Sequence, residues 1–159
     1  MPEKTDEKNI EKAYADLARK YGLPSFEELD AEFELSLIEH EAHLMAHIRK
    51  HVADKVSELS EMIENIVQPD SDVAGIYESR TFSDSEKSKI FDIFKELRML
   101  LRASHQAMLR NTERTDAEFV KRVWADWKKL KEKLLPIIEK LENSWKEPTA
   151  KEEKLGYFG

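Results

Sequence analysis

Near the end of this chain, Val120, Val123, Trp127, Leu130, Leu134, Ile137 and Leu141 recur at alternating intervals of three and four residues. That spacing lines up one stripe of an α-helix, so it predicts a helix with a single apolar seam. Two further stretches repeat it. Ile90, Phe94, Leu97, Leu101 and Met108 mark the core face of one predicted helix. Leu35, Ile38, Ala42, Met45, Arg49, Val52, Val56, Leu59, Ile63 and Ile66 predict a single long helix, its seam interrupted only at Arg49. That helix should end near Gln68, because Pro69 disfavours helical geometry in the residue before it. A one-sided seam must be covered by another helix. Four glycines and five prolines in 159 residues leave little turn material for a sheet.

The boundaries can also be read. A first helix is expected from about Asp6 to Tyr21, with Ile10, Ala13, Tyr14, Leu17 and Tyr21 inward; Gly22 supplies a left-handed stop and Pro24 prevents continuation. Ser25–Glu28, Ser83–Glu86 and Thr115–Glu118 each have the capping-box pattern of a helix start. Residues 69–82 form a connector with one helical turn around Val73 to Tyr77. Pro136 should kink or split the last helix. The expected fold is therefore all-α: an antiparallel bundle of about four long helices over residues 1–145. A charged tail, 146–159, follows and carries Leu155-Gly156-Tyr157-Phe158-Gly159.

The segments KYGLPSFEELDAEFEL, YESRTFSDSEKSKIFDIFKELR and DAEFVKRVWADWKKLK resemble stretches shared by a group of uncharacterised archaeal helical proteins. The resemblance covers most of the chain. It implies an archaeal, cytoplasmic, all-α protein and carries no activity with it.

Several function classes have no support in the residues. Cysteine is absent, which removes disulfides, thiolate metal sites and cysteine nucleophiles. No Gly-rich phosphate loop or serine elbow occurs. A net charge of -7 argues against nucleic acid as the main partner. No apolar run approaches the roughly 18 residues of a membrane span, and MPEKTDEKNIEK lacks a signal-peptide core. A cytoplasmic, cofactor-free protein is expected. Charge is nonetheless segregated: seven carboxylates and no Lys or Arg lie between Leu23 and Ile48, whereas 86–133 hold thirteen basic and eight acidic residues.

Four of the five histidines fall in EHEAHLMAHIRKH, residues 39–51. On one helix His40, His43, His47 and His51 would share a face turned from the seam. His43/His47 and His47/His51 have the i, i+4 spacing of metal chelation, and Asp54 continues the stripe. His43, His47, His51 and Asp54 are thus the candidate metal ligands, against the simpler expectation of a solvated face. No HExxH or di-iron pattern is present. Glu34, Glu41 and Arg49 are expected to project toward the seam, as an ion pair at the core edge or snorkelling to solvent. Arg98-x6-His105 resembles the Arg-x4-6-His motif of HEPN ribonucleases, small helical bundles in which the two side chains contact the scissile phosphate across a dimer. Met99 stands where that family prefers a polar residue. Trp124 and Trp127, among lysines, are expected in the core rather than as stacking platforms for bases.

Leu155, Tyr157 and Phe158 have no local core of their own. They are expected to fold back on the bundle or to dock into a protein partner. The Tyr157-Phe158 pair resembles a sliding-clamp-binding peptide, without its glutamine and aliphatic positions. The expected function is a non-enzymatic helical interaction protein acting through protein–protein contacts, a homodimer among them, with the ribonuclease and metal-binding bundle as alternatives.

Overall fold

The computed structural model describes residues 3–69 and 71–146. Its regular elements are α1 (Glu3–Tyr21), α2 (Phe26–Phe33), a single 3-10 turn (Leu35–Leu37), α3 (Leu44–Val67), α4 (Val73–Arg80), α5 (Asp84–Arg110) and α6 (Glu113–Ser144). The fold is all-α, with α1, α3, α5 and α6 as its four long helices. No described helix is long and apolar enough to cross a membrane.

The helices pack as two compact units. Of the described residues, one takes those up to Glu58 together with Leu97–Asp126; the other takes those of Leu59–Glu96 together with those from Trp127 to Lys146. Each of α3, α5 and α6 contributes one segment to each unit.

In the first unit, α1 ends as expected. Gly22 is left-handed at φ +67°, and the Leu23 N–H donates to the Ala18 carbonyl at 3.0 Å, the long bond of a Schellman stop. The Tyr14 hydroxyl donates to the Pro24 carbonyl at 2.6 Å, and its ring meets Phe26 edge-on at 5.8 Å. The Ser25 capping box then opens α2: the Glu28 N–H donates to Ser25 Oγ at 3.2 Å and the Ser25 N–H to the Glu28 carboxylate at 2.9 Å. Leu29, Phe33, Leu35, Ile48, Val52, Val56, Leu97, Val120 and Val123 fill the core. Trp124 is half-buried, edge-on to Phe33 at 6.4 Å.

The long helix expected from Leu35 onward is corrected here. Glu34 turns left-handed (φ 57°), the Ser36 N–H donates to Asp30 Oδ1 at 2.7 Å, and α3 begins only at Leu44 after a left-handed His43 (φ 55°). Leu35 and Ile38 are still buried, but from a 3-10 turn and extended chain; Ala42 is exposed. The last helix is corrected too. Thr112, not Thr115, caps it, accepting the Thr115 N–H at 3.1 Å.

In the second unit the Ser83–Glu86 capping box opens α5, with bonds of 3.1 and 3.2 Å. The connector holds a full α4 capped by Asp72, whose carboxylate accepts the Gly75 N–H at 2.8 Å. Ser79 Oγ donates to the Ile66 carbonyl of α3 at 2.8 Å, and the Tyr77 hydroxyl to the Ser144 carbonyl of α6 at 2.6 Å. Helix α6 runs through Pro136 without splitting. Ile63, Ile66, Phe82, Ile90, Trp127, Leu130 and Leu134 form this core. Pairing of Glu96 with Lys133 and of Glu86 with Lys140 shows that α5 and α6 run antiparallel there.

Candidate functional site

Three features of the described residues have the chemistry of a site. The first is polar and internal to the first unit. Arg49, the one interruption of its seam, donates Nε–H to Asp116 Oδ1 at 2.8 Å and Nη1–H to Ser104 Oγ at 3.1 Å. Asp116 and Ser104 are buried, and the Arg49 side chain keeps 13% of its exposure. Burial pushes the Asp116 carboxyl above its ordinary value, outweighing the downward pull of the Arg49 guanidinium. Asp116 borders a polar groove of about 440 Å³ that Asp16, Glu41, His43, Asn111 and Glu113 also line. Glu34 and Glu41, expected beside Arg49 at the seam, are instead exposed and off the helix.

The second feature is the histidine and arginine set. The stripe is not one helical face, because the chain turns at Ala42-His43 and only His47, His51 and Asp54 lie on α3. His40, His43 and His47 are exposed, and His51 is half-buried. His43 precedes α3 in a left-handed conformation, although the His47 N–H still donates to its carbonyl at 3.1 Å. Among the described residues no group of three or more His, Asp or Glu could hold a metal ion. Arg98 is half-buried and His105 exposed on α5; His105 Nδ1 lies 3.1 Å from Arg102 Nη1. Met108, expected in the core, is half exposed.

The third feature was not foreseen. Within the second unit a groove of about 560 Å³ runs along α5 and α6, floored by Phe82, Ile90, Ile93, Pro136 and Ile137. Its charged rim is largely self-paired: Lys140 Nζ donates to Glu86 at 2.6 Å, Lys133 Nζ to Glu96 at 3.0 Å, and Asp92 pairs with Lys95 at 3.3 Å. The Lys140 hydrogen bond, with the Ser83 backbone N–H, holds the Glu86 carboxyl down at about 2. Lys140 also lies 5.0 Å from the Phe82 ring centroid. The one sequence signal there was Pro136, which lines the groove and, lacking an N–H, interrupts the hydrogen-bond ladder of α6. Leu155, Tyr157 and Phe158, the expected partner-binding residues, lie outside the described residues.

No family model, curated protein or solved structure matches the chain.

Proposed function

We propose that this chain is a non-enzymatic helical interaction module that binds protein segments through the apolar groove of its second unit. The observation that carries this is the groove itself: an aliphatic and aromatic floor with a rim whose carboxylates are already paired. Its volume is in the range of about 300–1,000 Å³ common for ligand pockets. Such a surface gains free energy by desolvating apolar anchors and offers little to a charged ligand. Amphipathic or aromatic peptide segments suit it best. The test is selection from a random peptide display library. Enriched peptides should carry Leu, Ile, Phe, Tyr or Trp anchors and lose at least tenfold in affinity for Ile137→Glu. Selected peptides that ignore this substitution would refute the reading.

The ribonuclease alternative has one observation in its favour. Leu97–Thr112 holds Arg98, Arg102, Arg110 and His105 and no carboxylate, so this part of α5 is a local concentration of positive charge. The module reading expects no cleavage of mixed-sequence single-stranded RNA. Cleavage that vanishes in His105→Ala would put the ribonuclease first.

A further inference from the structure

The groove has a natural candidate occupant in the same chain. We propose that the segment Leu155-Gly156-Tyr157-Phe158-Gly159 is an intramolecular ligand of the groove along α5 and α6, competing there with outside peptides. This rests on the reading of the groove as a peptide site. Chemistry and reach both support it. The segment carries three large apolar side chains and no charged one, set apart from the described chain by Lys- and Glu-rich residues. The groove offers Phe82, Ile90, Ile93 and Ile137 on its floor, while Glu86 and Glu96 at its rim are already neutralised by Lys140 and Lys133. A segment without charged side chains therefore matches it, and the charged residues preceding that segment do not.

The side of the groove on α6 spans Lys133 to Lys140, and the described chain reaches Lys146. At about 1.5 Å of rise per residue, the far end of that wall lies roughly 20 Å back along the helix. The nine residues from Lys146 to Leu155 can span up to about 30 Å when extended, so every part of the floor is within reach. Tethering of this kind supplies an effective concentration of about millimolar. Even a weak contact would then keep the groove substantially filled, and an outside ligand would have to displace it.

The experiment titrates a fluorescently labelled LGYFG peptide into two full-length proteins, wild type and Leu155→Ala/Tyr157→Ala/Phe158→Ala. The peptide should bind the triple variant and bind wild type at least tenfold more weakly. Adding Ile137→Glu to the triple variant should abolish binding. Equal binding to both proteins would overturn intramolecular occupancy while leaving the groove a peptide site. Binding to neither would also overturn it, and the library selection would still decide the module reading independently.

Discussion

Arg49, Ser104 and Asp116 illustrate how one residue's burial turns into stability. Asp116→Ala would leave a largely buried guanidinium without its carboxylate, at a cost of about 3–5 kcal/mol, nearer the lower figure because Arg49 keeps some water. Arg49→Met/Asp116→Leu should lose clearly less than either single variant, as measured by urea unfolding; strictly additive losses would show that the pair is uncoupled. The pH dependence has a defined sign. Burial raises the Asp116 carboxyl above 3.8, so its contribution is complete below that value and is lost as the pH climbs through the folded-state pKa. Against Asp116→Asn, the wild type should weaken as pH rises from about 3 toward neutrality; a flat difference would contradict this. The triad was half legible. Ser104 fills the gap between Leu101 and Met108, and Asp116 stands one seam step before Val120. Each is a polar residue at a core position, as Arg49 is. That three such interruptions would meet depends on how the helices are matched, which periodicity does not encode.

At the level of elements, the local chemistry of chain reversal was the more legible part. The Gly22 stop and the Ser25 and Ser83 boxes formed where the residues called for them. The connection between α5 and α6 is shorter than expected and rests on Asn111, left-handed at φ 53°, whose N–H donates to the Ala107 carbonyl at 2.9 Å. Asn is among the few non-glycine residues that tolerate this geometry. Asn111→Gly should therefore leave thermal stability nearly unchanged, whereas Asn111→Val should cost about 1–2 kcal/mol. Equal melting temperatures for the two would argue against the geometry. The start of α3 was missed for a physical reason. Leu35, Ile38 and Met45 are all buried, so the three-four spacing of apolar residues persists across a break in the helix. Spacing reports which side chains need cover, and a 3-10 turn with a few extended residues can supply cover as well as a helix can.

Over the whole molecule, the all-helical class and the four long helices follow from composition and seam spacing. The two packing units do not, because the three-four spacing along α3, α5 and α6 does not change where one unit gives way to the other. Neither unit is a contiguous stretch of chain, and this has a consequence for how the protein is made. On a ribosome, Arg49 is synthesised long before the carboxylate it needs, which follows 67 residues later. At roughly 5–20 residues per second, the delay is about 3–13 s. Throughout it, Phe33 lacks Trp124 of α6, its edge-on partner, and Arg49 lacks its counter-charge. The native core of this unit can close only once Asp116 and Val120 have left the exit tunnel, so its earliest-made apolar residues wait, in the care of whatever holds emerging chains, for a segment made far later.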